Sequence, residues 1–238
     1  MHTQIEIGEI AIKVIKKDIK NLHLSVNPPD GKVRISAPLR TTLQTIRLFA
    51  ISKLGWIKQQ QKKLQGQERE TPREYLDRES HYVWGKRYLL KVIEQKKKAG
   101  VELQHNTMVL SVRPGAGNEK KRALVEAWYR DRLRTAAQPL IAKWELLMGV
   151  KVSRLFVQRM KTRWGSCKPD RKHIRLNTEL AKKPIECLEY VVVHEMSHFF
   201  ERRHNDRFMS MMDRYLPQWR HYREVLNVAP LSHAEWSN

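Results

Sequence analysis

Cysteine is nearly absent. The 238-residue chain has two, Cys167 and Cys187, too far apart for a C-x-x-C pair, so neither a disulfide framework nor a thiolate zinc ribbon can be built. Both are expected as free thiols in a reducing compartment. Acidic residues are also scarce, 25 against 46 lysines and arginines, for a formal charge of +21. That excludes an acidic halophile surface and makes a polyanion or an acidic surface a candidate partner. No apolar run approaches the roughly 20 residues of a membrane helix. Met1 to Lys20 alternates apolar and charged residues where a signal peptide would have a continuous apolar core. The expectation is a soluble, cytoplasmic protein with no membrane partner. We find no internal repeat and no long low-complexity tract. What is present, 41% hydrophobic residues with seven Trp, suffices for one large domain or two small ones and excludes disorder throughout.

From Ile5 to Pro38 apolar residues recur with period two, in Ile10, Ile12 and Val14 and again in Leu22, Leu24 and Val26, which is a strand signal. Asn27-Pro28-Pro29-Asp30-Gly31 interrupts the pattern before Val33, Ile35 and Ala37 resume it, predicting a hairpin. Thr41 or Thr42 can cap one helix carrying Leu43, Ile46, Phe49, Leu54 and Ile57, which ends in the polar run from Lys58 to Gln67. Gly66 to Pro72 reads as a connector. A second strand pair, Tyr82 to Glu94 and Val101 to Val112, follows, with Lys96 to Lys98 at its loop tip. Asn118 is a candidate cap for a long helix to about Met148, with Leu124, Trp128, Leu133, Leu140, Trp144 and Leu147 on its apolar face and a kink at Pro139. Strands return over Val150–Arg163 and Ile174–Leu176. Pro184 then opens a helix at its favoured first position, with Glu186 and Glu189 near the positive end of the dipole.

That helix carries His194-Glu195-Met196-Ser197-His198, a full H-E-x-x-H. Four residues advance a helix by about 400°, so the two imidazoles point the same way, about 6 Å apart along the axis, and can share one metal ion. Catalytic zinc keeps three protein ligands and an open position for water. Glu195, beside the first ligand, is the natural base for that water. His204 follows six residues after His198, and six helical residues turn about 600°, onto the wrong face. If His204 is to join the site, the helix must end or turn near Arg202. Proteases with H-E-x-x-H-x-x-G-x-x-H share the interval but place Gly where this chain has Glu201, which argues against that group and not against zinc. A lone histidine on such a helix is more often packing than ligand; three of them with a glutamate between read as a centre. A closed structural zinc site would need a fourth ligand, for which His221 is the nearest candidate in sequence.

The stretch Met160 to Cys167, then Ile174-Arg175-Leu176-Asn177, Pro184, Tyr190 to Glu195, His198, His204-Asn205, Phe208 and Leu216-Pro217 resembles the YgjP-like metal-dependent hydrolases, relatives of the SprT-like and Wss1-like zinc metalloproteases. The resemblance spans roughly Val152 to Leu226. It implies a minimal zincin-like fold: a small sheet, an active-site helix bearing His194 and His198, and His204 as third ligand to one zinc ion just beyond it. It also implies that the sheet's edge strand holds an extended substrate by backbone pairing, with Arg163 to Asn177 as the wall of the cleft. Glu201 and Asp206 are close enough in sequence to compete with His204 as ligand.

Trp164-Gly165-Ser166-Cys167 could suggest a Ser or Cys nucleophile, but no G-x-S-x-G elbow surrounds it, so Trp164 and Gly165 are expected to shape a tight corner. His173 reads as a solvated loop residue, and Met209, Met211 and Met212 as core. Arg163, Asn177, Tyr215 and His221 are the polar candidates for contacting substrate or a developing oxyanion. The expected fold is α+β, with residues 1–117 a β-rich N-terminal region with one helix and residues 118–238 a zincin-like metallohydrolase domain. Three readings stand: a zinc metallopeptidase acting on a peptide or protein; a nucleotide pyrophosphohydrolase using the same site, on a nucleoside triphosphate such as UTP; and a non-enzymatic nucleic-acid-binding module using the basic surface. The charges are spread, with short clusters at Lys96–Lys98, Lys120–Arg122 and Arg202–Arg203, which favours a merely solvated face. An intact Glu195 argues against the third reading.

Overall fold

The structure, a computed structural model, describes residues 2–27, 31–65, 73–96, 98–160 and 163–228. Its contacts divide the chain into two compact units with the break between residues 70 and 71. The connector expected over Gly66 to Pro72 lies outside the described residues, as do Pro28 to Asp30 of the expected turn and Lys97 of the expected lysine tip.

In the first unit, β1 (His2–Ile7), β2 (Ile10–Lys17), β3 (His23–Asn27) and β4 (Lys32–Pro38) form a sheet in the order β1-β2-β4-β3. The period-two residues Ile10, Ile12 and Val14 and Val33, Ile35 and Ala37 are buried, as alternation requires. β3 and β4 pair antiparallel, the expected hairpin, whereas β2 and β4 run parallel. The single expected helix is two, α1 (Leu43–Ser52) and α2 (Leu54–Gln65), interrupted at Lys53. Thr42 caps α1, its Oγ1 accepting from the Thr45 N–H at 3.2 Å. Ile46, Ala50 and Ile57 complete a core with the sheet.

The second unit opens with β5 (Ser80–Val83), β6 (Lys86–Glu94), β7 (Gly100–Gln104) and β8 (Thr107–Val112), ordered β5-β6-β8-β7. The expected strand pair is therefore four strands. Trp84 (φ 49°) and Gly85 (φ 80°) turn the first hairpin and His105 (φ 52°) the second, and β6 and β8 pair parallel. The boundary expected at 117/118 falls inside this unit, because Leu90, Met108 and Leu110 of the sheet share one core with the helix that follows. That helix, α3 (Asn118–Met148), continues through Pro139 and starts from Gly117 with no side-chain cap, so Asn118 is its first residue and not its cap. Its buried stripe is Val125, Tyr129, Leu133, Ala137, Ile141, Trp144 and Met148. The face is rotated by about one residue from the expected one, and Leu147 is exposed.

Beyond α3 lie β9 (Arg154–Gln158), β10 (Gly165–Lys168) and β11 (His173–Asn177), ordered β10-β11-β9 so that β10 is an edge. His173 thus sits in a strand and not in a loop. A 3-10 turn over Thr178–Lys182 leads into α4 (Ile185–Ser197), followed by α5 (Asp206–Tyr215) and α6 (Trp219–Val228). Pro184 is the residue before α4, one position ahead of the expected place. Glu189 joins α4 to α3, accepting from Lys143 Nζ at 2.7 Å and Trp144 Nε1 at 2.9 Å. No described helix is long and apolar enough to cross a membrane.

Candidate metal centre

The helix bearing the H-E-x-x-H is fixed at its start by the second sheet. Trp84 N–H donates to the Ala181 carbonyl at 2.9 Å and Gly85 N–H to that of Lys182 at 3.2 Å. At its far end α4 stops at Ser197, sooner than the turn expected near Arg202, and His198 is already its C-terminal cap. Phe199, Phe200 and Glu201 close the turn by donating back to the Met196 and Ser197 carbonyls. Asn205 then caps α5, its Oδ1 accepting from Phe208 N–H at 3.1 Å. The chain between these two helix ends is what brings His204 back over α4.

His194, His198 and His204 converge, with one ligand atom of each within 4.8 Å of the others. Their ring centroids are 4.7 to 4.9 Å apart. Phe208, fully buried, lies against all three rings at 4.7 to 5.0 Å and forms their floor. Nε2 of His194 and Nε2 of His204 face each other at 3.1 Å. Two nitrogens held tetrahedrally by one zinc at ordinary bond lengths stand about 3.3 Å apart, so the pair is spaced for a shared cation. His198 Nδ1 is 2.9 Å from the Glu201 carbonyl; donating there, the ring keeps its Nε2 lone pair for a metal. These residues fit a divalent ion.

Electrostatics favour neutral rings at His194 and His204. Burial, then His198, His204 and Arg223, pushes His194 down to about 3, and loss of solvent, then His198 and Arg223, lowers His204. Neither Glu201 nor Asp206 joins the cluster: the Glu201 carboxylate accepts from Arg203 N–H at 3.1 Å, and Asp206 opens α5. His221, exposed on α6, supplies no fourth ligand.

Glu195 is 6% exposed, and burial, offset in part by Arg163, pushes its carboxyl up to about 8. It lies against Gly165, whose position admits no side chain: a Cβ there would meet Glu195 Oε1 at 2.6 Å and Val191 Cγ1 at 2.7 Å. This close approach is the corner expected of Trp164-Gly165. Cys167, chiefly through burial and then Glu195, is pushed up to about 12 and stays a thiol, not a nucleophile.

A cleft of about 960 Å³ opens over the histidines and Glu195, walled by β10 and its turn. Of the four polar candidates Arg163 lines it. Asn177 is buried and committed elsewhere, donating to the Met160 and Arg163 carbonyls at 2.9 and 2.8 Å. Tyr215 packs edge-on against Trp144 at 6.2 Å, and His221 stands beside Tyr222. Sequence reasoning gave no role to Tyr190, which lines the cleft one helical turn before His194, or to Phe208; the four-residue spacing of Tyr190 from His194 was the available signal.

An α+β unit that gathers three imidazoles beside a buried carboxylate in an open cleft belongs with the metal-dependent hydrolases. Residues 20–229 match the YgjP-like metallopeptidase domain, and the chain belongs to that family. The match begins far upstream of the signature at Val152 and takes in most of the first unit. Among solved structures the chain is similar to the metallopeptidase zymogen jannalysin of Methanocaldococcus jannaschii, at 19% identity over 38% of this chain and 92% of that one, with a TM-score of 0.34. It is also similar to the zymogen abylysin of Pyrococcus abyssi, at 16% identity over 37% of this chain and 87% of that one, also with a TM-score of 0.34. No curated protein matches.

Proposed function

We propose that the protein is a zinc-dependent metallopeptidase with His194, His198 and His204 as ligands to one ion and Glu195 as general base. The observation that carries this is the placement of a buried carboxylate beside three converging imidazoles at the floor of an open cleft. When bound, the ion would lower the pKa of a water from 15.7 to about 7 and polarise the scissile carbonyl. Glu195 takes the proton of the attacking water as its oxygen bonds to the carbonyl carbon. It then delivers that proton to the departing amine nitrogen as the C–N bond breaks. Arg163 works against the burial of Glu195 and favours the carboxylate form that a base requires. The free edge of β10 beside the cleft supports backbone pairing with an extended peptide.

The second reading, nucleoside triphosphate hydrolysis at the same site, is favoured by Arg163, Lys168, Arg171 and Arg202 on the cleft wall. The two readings separate when the metal-loaded protein is offered an unfolded protein and, in parallel, a panel of nucleoside triphosphates. We expect protein cleavage to fall at least about 1,000-fold in Glu195→Gln with the metal retained, and His194→Ala to lose both metal and activity. Metal retained by His194→Ala, measured by elemental analysis, would overturn the ligand assignment. Triphosphate hydrolysis without protein cleavage would transfer the site to the second reading.

A further inference from the structure

The strongest feature outside the cleft is the other side of the sheet that walls it. In β9, β10 and β11 the residues facing inward include Val157, Ile174 and Leu176, all buried. The register puts their neighbours on the opposite face: Arg154 beside His173, Phe156 beside Arg175, Ser166 beside Arg175 and Lys168 beside His173. Phe156 organises this face. The guanidinium carbons of Arg175 and Arg154 stand 5.1 and 5.8 Å from its ring centroid, and the His173 ring meets it edge-on at 5.5 Å.

The charges bearing on His173 are Arg154, Arg171, Arg175 and Lys168, cations all. Among the described residues none of the four takes part in an ion pair, and the nearby Asp170 is engaged by Arg202. Surface arginines scattered for solubility are interspersed with acids; here four cations crowd three strands and one turn around His173, and two of them flank the Phe156 ring. We infer that the outer face of this three-stranded sheet docks a single-stranded nucleic acid.

The occupant follows from the chemistry. Uncompensated cations select a polyanion. An aromatic ring flanked by planar guanidinium groups suits unstacked bases, which a single strand offers and a duplex or an acidic peptide does not. Lys168 and Arg171 also line the rim of the cleft, so a strand on this face passes next to the metal centre. The inference does not rest on the peptidase reading.

Fluorescence anisotropy on the full, metal-loaded chain tests it, using labelled 20-nucleotide single-stranded DNA and RNA, a 20-base-pair duplex, and polyglutamate as competitor. Single strands of one or both kinds should bind more tightly than duplex and resist polyglutamate. Arg154→Gln with Arg175→Gln should weaken binding at least about 10-fold and flatten its salt dependence. Phe156→Leu should weaken it about 5-fold or more without changing that slope, and Phe156→Tyr should restore it. Removing two cations elsewhere, Lys120→Ala with Lys121→Ala, should change affinity less than about 2-fold. Melting temperature and metal content report whether each variant is folded, and the Phe156→Tyr protein keeps the test decisive if Phe156→Leu is not. No single-strand binding, equal binding of duplex, displacement by polyglutamate, or an equal loss in the Lys120/Lys121 variant would overturn the inference.

Discussion

The two four-stranded sheets share a plan. In each, two antiparallel hairpins are joined by a parallel pairing of their inner strands, β2 with β4 and β6 with β8. Central residues correspond as well: Ile35 lies between Val14 and Leu24 as Leu110 lies between Val92 and Val101. The two differ in what they pack against. The first closes its core on its own two helices. The second shares its core with α3 and α4 and, through the Trp84-Gly85 turn, holds the start of the helix that carries the histidines. Topology is thus repeated while the chemistry belongs to one copy, set by the helices added after it.

The largest effect that would sharpen this contrast comes from matched cavities. Ile35→Ala and Leu110→Ala each remove a fully buried side chain from a central strand and should cost about 2–5 kcal/mol. Because the two cores are separate clusters, calorimetry should resolve two transitions. Added metal should raise only the one that Leu110→Ala lowers, since a ligand stabilises the unit that binds it. One transition moved equally by both variants would break the comparison.

The convergence of the three histidines was legible in the chain because its information is local: His194 and His198 fall one helical turn apart, and the six-residue interval lets His204 join them only if the helix stops. The alternating strands were legible for the same reason. The shared plan of the sheets was not, because strand order is set by contacts distant in sequence, and Val33-Arg34-Ile35-Ser36-Ala37 and Met108-Val109-Leu110-Ser111-Val112 have little in common beyond apolar spacing. Asn177 was one of four polar candidates for the cleft, and its amide is bonded to the Met160 and Arg163 carbonyls; which carbonyls a polar side chain meets is a tertiary fact. Phe208 reads in sequence as ordinary core, and only the fold brings three imidazoles onto its ring.

A smaller effect, also confined to the second unit, is a pH dependence of the metal-free protein. Glu195 is raised from 4.5 to about 8 and His194 lowered from 6.5 to about 3. Between pH 4.5 and 8 the folded state binds a proton at Glu195 that the unfolded chain has released, so this group erodes stability as pH rises. Between pH 3 and 6.5 the unfolded chain binds a proton at His194 that the folded state refuses, so that group adds stability as pH rises. The two cancel between pH 4.5 and 6.5. Above that window the chelated protein should lose about 2 kcal/mol by pH 8. Urea unfolding at pH 6 and pH 8.5 should show this loss in the parent and its near absence in Glu195→Gln. An equal loss in both would remove Glu195 as its source.

The finest distinction lies in corresponding turns. Gly8 and Gly85 each turn the first hairpin of their sheet with positive φ, at 58° and 80°. A Cβ at Gly8 would meet nothing within 4 Å, whereas one at Gly85 would approach Pro184 Cγ at 3.2 Å and Cδ at 3.4 Å. Alanine at either position incurs the left-handed backbone penalty of about 1 kcal/mol. At Gly85 it must also press on the residue that starts α4, adding about 1 kcal/mol where close packing cannot relax. Gly85→Ala should therefore lower the metal-sensitive transition further than Gly8→Ala lowers the other, and should weaken metal retention during dialysis against a chelator. Equal costs and unchanged retention would mean that the second sheet, despite its hydrogen bonds to Ala181 and Lys182, holds α4 no more firmly than an ordinary surface turn would.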